Sequence, residues 1–303
     1  MARKQQGKQP GKQQAGRRDD QPAGRTADGR VAEQVDSGLA EIVRDRDRAD
    51  AWTLLLDGAP QSHVDLADPG YLSFEYQRRL GHLADLAAAP GKPVSVLHLG
   101  GGALTLARYI AAGRPRSRQQ VAEIDTRLTE LVRRELPLDR TWQLRVRGGD
   151  ARDLLARSPE GAADLVVADI YSGARIPAHC TSVEFATLAA NALRPDGRYA
   201  VNITDGGQLA FARGQVATLR AVFAEVALIA DPTVLRGRRF GNLVLVAAQQ
   251  PLPLDELTRR IATDPFPGRV ENGPRLVDFQ AGAVPVTDEG ARPSPAPPPG
   301  AFD

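Results

Sequence analysis

Cysteine is nearly absent. Cys180 is the single one in 303 residues, which excludes an internal disulfide and any cysteine-based zinc site. Histidine occurs four times, at 63, 82, 98 and 179, without metal-ligand spacing, so no bound metal is expected. No run of about 18 apolar residues exists, which excludes a transmembrane helix, and no membrane partner is expected. The N-terminal stretch MARKQQGKQPGKQQAGRRDD lacks the apolar core of a signal peptide, so the expected location is cytoplasmic. These absences remove secreted scaffolds, membrane spanners and zinc enzymes.

What is present has the make-up of a soluble globular protein, with 42% hydrophobic and 25% charged residues. The charge is uneven. Residues 1–30 carry eight basic and three acidic groups, a net +5, which leaves −3 of the total +2 for the rest of the chain. That Gln/Gly/Lys stretch has too few apolar residues to offset the entropy of ordering it. Residues 1–37 are therefore expected to be a disordered basic tail, a solubilising arm or one that brushes an acidic surface. A body near −3 is not the footprint of a dedicated nucleic-acid site. The end of the chain, DEGARPSPAPPPGAFD, is low in complexity and rich in proline. Residues 286–303 are expected to be a second disordered tail.

Between the tails, LAEIVRD and AWTLLLD read as strands, and Asp57-Gly58 as a hairpin turn. Residues 38–70 thus form a small N-terminal β-element. YLSFEYQRRLGHLADLAAA has helical apolar spacing and ends at Pro90-Gly91. Strands and helices then alternate: VSVLHLG, SRQQVAEID, WQLRVRGGD, ADLVVADI and RYAVNIT are each followed by a helical pattern. EVALIAD and NLVLVAAQ come last without a clear helix between them. The expectation for 71–250 is an α/β fold with a seven-stranded, mostly parallel sheet whose last pair runs antiparallel at one edge. Residues 251–285 are a C-terminal extension.

Three strand ends carry polar residues suited to a nucleoside. Gly100, Gly101 and Gly102 sit where the first strand turns into a helix, and glycine there lets a ligand approach the backbone. Glu123 ends the second strand, 23 positions after Gly100, where a carboxylate can accept from a ribose diol. Asp125 is placed to cap the next helix. Asp150, after the third strand, can accept from an adenine amino group, cap the following helix, or do both. All face the rim where open α/β sheets bind ligands. The loop lacks G-x-G-x-x-G, so an S-adenosylmethionine-type ligand fits better than a dinucleotide.

The fourth strand brings Asp169 to the same rim, before a loop, SGARIPAHCTS, long enough to be a lid. A carboxylate beside a sulfonium can hold an incoming amine and take its proton. Tyr171 either stacks on the ligand or packs. Cys180 reads as a small packed residue and His179 as a surface loop residue.

These residues, with LLLDGAPQS, LSFEYQRRLGHL, VLHLGGG, VAEID, GGDA, DLVVADIYSG and RGRRFGNLVLVA in that order, resemble the spermidine synthase (polyamine aminopropyltransferase) family from about Leu54 to Ala248. The resemblance implies a small N-terminal β-domain and a methyltransferase-like Rossmann domain. It implies transfer of an aminopropyl group from decarboxylated S-adenosylmethionine to an amine, with no permanently bound cofactor, and a homodimer. Carried over by position, Gln61 and Gly100–Gly102 would line the donor site, Glu123 would hold the ribose and Asp150 the adenine. Asp169 would be the general base, with Tyr76 and Gln77 on the acceptor side.

Two positions depart from the family pattern. Ala103 stands where an Asp is expected to bind the donor's propyl ammonium and repel the carboxylate of ordinary S-adenosylmethionine. Ser172 stands where a second Asp would clasp a diamine. Three readings follow: an aminopropyltransferase, a transferase using ordinary S-adenosylmethionine, and a non-enzymatic nucleoside-binding protein.

Overall fold

The computed structural model describes residues 24–25 and 29–300. Most of the basic tail expected over 1–37 lies outside the described residues. The strands β1 (Gly24–Arg25), β2 (Val31–Val35), β3 (Gly38–Arg44), β4 (Ala51–Leu56) and β5 (Ala59–Asp65) form an antiparallel sheet in chain order. Asp57 and Gly58 join β4 to β5 with φ of 48° and 79°, the mirror-image turn that suits a two-residue hairpin. The chain then forms α1 (Glu75–Asp85), β6 (Ser95–Leu99), α2 (Thr105–Gly113), β7 (Arg118–Glu123), α3 (Thr126–Glu135), β8 (Gln143–Gly148), α4 (Ala151–Arg157) and β9 (Ala163–Ala168). It continues through α5 (Val183–Ala192), β10 (Leu193–Asp205), α6 (Ala210–Arg220), β11 (Glu225–Ala230), α7 (Pro232–Leu235), β12 (Gly241–Ala248), α8 (Leu254–Thr263), β13 (Arg269–Glu271) and α9 (Gly273–Gln280).

The large sheet has the order β13-β11-β12-β10-β9-β6-β7-β8. Strands β8, β7, β6, β9 and β10 pair in parallel, while β12 runs antiparallel to both β10 and β11. Its strands alternate their apolar residues between two faces. Leu97, Leu99, Val166, Ala168 and Ile203 meet Leu155 of α4, Phe185 of α5 and Val216 of α6. Val96, Leu165, Val167 and Val244 meet Leu80 of α1, Ile110 of α2 and Ile261 of α8. Burying each such side chain is worth about 1.5–3 kcal/mol, and both faces are dry, as a parallel sheet requires. The small sheet packs Ile42, Leu54 and Val64 onto Leu104 and Ala107 of the first crossover and Leu131 of α3. It thereby roofs the loop after β6.

Three expectations need correction. The sheet has eight strands, not seven: β13 pairs with β11 and takes the edge expected for the last pair. Its three residues are too few to leave a periodic signature. The expected tail boundary at 37 is too late, because β2 occupies Val31–Val35 and buries both terminal valines. The low-complexity end is not free either. Ser294 is fully buried, and the segment around it packs onto the lid. Among the described residues no helix is long and apolar enough to cross a membrane.

Candidate active site

Strand order sets the order of groups along one rim. After β6 the chain moves through β7 to β8, then returns to β9 on the other side of β6. Ligands of open α/β sheets bind where strand order reverses in this way. Register aligns Leu99 with both Ala122 and Ala168, and Ala168 with Val201. One residue beyond, the rim therefore reads Glu123, Gly100, Asp169, Asn202. Asp150 lies farther out past β8. Neighbouring strands are about 4.8 Å apart, so the rim is a ladder of known spacing.

Backbone geometry explains the glycines. Gly100 has φ of 94°, and a Cβ there would overlap the carbonyl oxygen of Asp169. Gly102 has φ of 49°, and its Cβ would stand 2.7 Å from Ser62 Oγ in β5. Gly101 N and Gly102 N donate to Glu123 Oε2 at 2.8 and 3.2 Å, and Asp125 N donates to Oε1 at 3.0 Å. A carboxylate has about four acceptor positions. Two of Glu123's bonds thus brace the glycine loop, the third holds the Asp125 amide, and one acceptor position is left on a residue that lines the cavity. Asp125 caps α3 through Leu128 N at 2.8 Å and also accepts from Ser37 N at 2.8 Å.

Asp150 caps α4, its Oδ1 accepting from Arg152 N at 2.8 Å, while Oδ2 lies 2.8 Å from His179 Nε2. Burial pushes this carboxyl up, but His179 and the helix amides outweigh it and hold it below the usual range. His179 is exposed on the loop, as expected, and its ring ties that loop to the rim. Asp169 is half-buried at the cavity wall. Burial raises its carboxyl above the usual range, while Asn202 and the Tyr76 hydroxyl draw it back. Asn202 Nδ2 donates to Asp169 Oδ1 at 2.9 Å. Gln77 Nε2 donates to the Tyr76 hydroxyl at 3.3 Å. Burial, then the Asp169 charge, keeps the Tyr76 phenol protonated.

A cavity of about 630 Å³ runs along this rim. Gln61, Tyr76, Gln77, Gly100, Gly101, Gly102, Glu123, Asp150, Asp169 and Tyr171 all line it. The structure thus brings together every site residue expected from the sequence. It adds Asn202, Thr204 and Asn242, whose only signal was polarity near the rim ends of two apolar strands. Ala103 is instead buried in the core cluster of Leu54, Val64, Leu104 and Ala107, its N–H donating to Ser62 Oγ at 3.2 Å.

The lid runs from Ile170 to Thr181 and turns back on itself through Ser172 N and Arg175 O at 2.8 Å. The C-terminal segment straps it down. Ser294 Oγ accepts from Ile176 N at 2.9 Å, Ser294 N donates to Ile176 O at 3.1 Å, and Arg175 Nε donates to Ser294 O at 2.6 Å. Arg152 grips Asp288 with two bonds of 2.7 and 2.5 Å. Arg152, then Ser182, holds the Asp288 carboxyl at about 2. Pro293, beside Ser294, reaches the cavity wall.

No family model matches the chain. A solved probable spermidine synthase from Corynebacterium glutamicum is 31% identical, with a TM-score of 0.79, covering 84% of this chain and 95% of that one. A polyamine aminopropyltransferase of Vibrio vulnificus is 27% identical over 207 residues, 66% of this chain and 67% of that protein. Human methyltransferase-like protein 13 is 21% identical, with a TM-score of 0.51, over 62% of this chain and 89% of its own; that likeness is one of fold.

Proposed function

Because the chain belongs to the spermidine synthase (polyamine aminopropyltransferase) family, we propose that it moves an aminopropyl group from an S-adenosylmethionine-derived donor to an amine, with Asp169 as general base. The donor is a substrate, not a resident cofactor. Asp150 accepts from the adenine amino group, and Ile124, 65% exposed at the cavity wall, offers the base an apolar face. The free position on Glu123 takes a ribose hydroxyl. The sulfonium then lies over Gly100, next to Asp169.

The acceptor arrives as an ammonium and pairs with the Asp169 carboxylate. Its proton passes to Asp169, and the freed nitrogen lone pair attacks the propyl carbon bound to sulfur. The carbon–sulfur bond breaks, sulfur keeps the electron pair, and methylthioadenosine leaves. Burial favours this step, since a carboxyl raised above its usual range is a stronger base. Tyr76, Gln77 and Asn202 hold Asp169 and the amine in line.

The observation that carries this reading is Asp169, hydrogen-bonded to the buried Asn202, on the same cavity as Glu123 and Asp150. Incubation with decarboxylated S-adenosylmethionine and a panel of amines is expected to release methylthioadenosine. No release from any amine by folded protein would overturn it. One observation favours ordinary S-adenosylmethionine as donor instead: Ala103 lies in the core and sets no charge against the donor's carboxylate. Calorimetry separates the two, because a strong preference for the decarboxylated form removes the second reading.

A further inference from the structure

The acceptor end of the cavity holds one negative charge. Beyond Asp169 the ladder continues through β10 to β12, and its residues there are Asn202, Thr204 and Asn242. Thr204 and Asn242 are directly opposed in the β10–β12 register. Thr204 lies one strand step across and two residues along from Asp169, and Asn242 one strand farther, about 8 and 12 Å away, around the reach of the far end of a four-carbon amine. Among the described residues no second carboxylate lines this end. Asp205, next along β10, turns away and accepts from Ala212 N at 2.8 Å. Glu75 is turned to Arg79 and Arg239, at 3.5 and 3.6 Å. The Arg79 guanidinium donates to the Asn242 carbonyl oxygen at 3.4 Å.

Buried polar atoms without partners mark what the chamber receives. Gln77 Oε1 and Asn202 Oδ1 are acceptors without donors, and both residues are at least 95% buried. Asn202 must turn its amide nitrogen to the Asp169 carboxylate, which leaves its oxygen outward. An ammonium has three N–H donors, and Asp169, Gln77 and Asn202 all line this chamber. Farther along, the Tyr171 hydroxyl and Thr204 Oγ1 face one another, also without a well-aligned partner. These hydroxyls both donate and accept, as a ligand hydroxyl does. A second ammonium there would leave water with no opposite charge to meet it, and buried charges persist only when paired.

We infer that the acceptor is an amine with a single cationic centre and a neutral hydrogen-bonding group at its far end, an amino alcohol being the simplest case, with Thr204, Tyr171 and Asn242 selecting against a diamine. This rests on the aminopropyl-transfer reading and narrows its substrate class. The test compares 4-aminobutan-1-ol with putrescine, which match in length and differ in one terminal ammonium. With decarboxylated S-adenosylmethionine as donor, kcat/KM for the amino alcohol is expected to be tenfold or more above that for the diamine. Equal use or a preference for the diamine overturns the inference. Calorimetry with methylthioadenosine bound reads the same ranking without chemistry: tighter binding of the amino alcohol supports the inference, and equal or weaker binding overturns it. Failure of the parent reading looks different, since methylthioadenosine itself then does not bind; that result removes the site and this inference with it.

Discussion

Gly100 and Asp169 lie back to back across the gap between β6 and β9, with no room for a methyl group between the loop and the Asp169 carbonyl. On the proposed function, the residue that would let the donor approach is also the one that sets the position of the proposed base. Gly100→Ala combines a forbidden φ with a backbone clash, and φ strain alone costs of order 1–3 kcal/mol. The variant is expected to melt lower and to lose methylthioadenosine binding at least tenfold, both read from thermal shift with and without ligand.

Glu123 both braces the glycine loop and faces the cavity. Hydrogen bonds to charged groups contribute about 1.5–3 kcal/mol. Glu123→Gln removes the charge and replaces one acceptor by a donor. Calorimetry is expected to give about 10- to 100-fold weaker methylthioadenosine binding, an estimate from that range.

Asp169→Asn keeps the shape and removes the base. General-base loss costs about 10²–10⁴ in rate, so turnover is expected to fall by that factor while methylthioadenosine binding is unchanged. Because burial raises this carboxyl, wild-type kcat/KM should fall as pH drops through a value above the usual carboxylate range. The folded state binds the proton more tightly than the unfolded chain, so stability is lost as pH rises through that same window. The Asn variant is expected to lack this slope, read from melting against pH. A melting profile identical to wild type counts against a raised, ionising Asp169 carboxyl.

Ser294 is the keystone of the strap on the lid. Ser294→Ala leaves Ile176 N–H without its acceptor, a loss of about 1 kcal/mol, or roughly fivefold in local opening. Trypsin cleavage after Arg175 is expected to quicken by about that factor, and KM for the donor to rise with kcat little changed. Unaltered cleavage would mean the strap does not hold the lid.

The strand–helix alternation, the hairpin at Asp57-Gly58 and the three polar strand ends were legible because each is local. A period, a turn residue and a strand terminus are written in consecutive residues. Asn202, Thr204 and Asn242 were not legible, because a lone polar residue in an apolar strand does not say which cavity it faces. The ties of His179 to Asp150 and of Ser294 to Ile176 were not legible for the same reason: the partners are 29 and 118 residues away.

By itself the sequence determined the strands from β6 to β12 and which strand ends carry Gly100, Glu123, Asp150 and Asp169. Hydrophobic period and turn chemistry act over a few residues, and they suffice for that. Only the tertiary structure decided that β13 closes the sheet, that Ala103 belongs to the core, and that the proline-rich end clamps the lid. It also set Thr204 and Asn242 opposite one another on the cavity wall. Those outcomes depend on which distant surfaces exclude water together, and no local pattern encodes that.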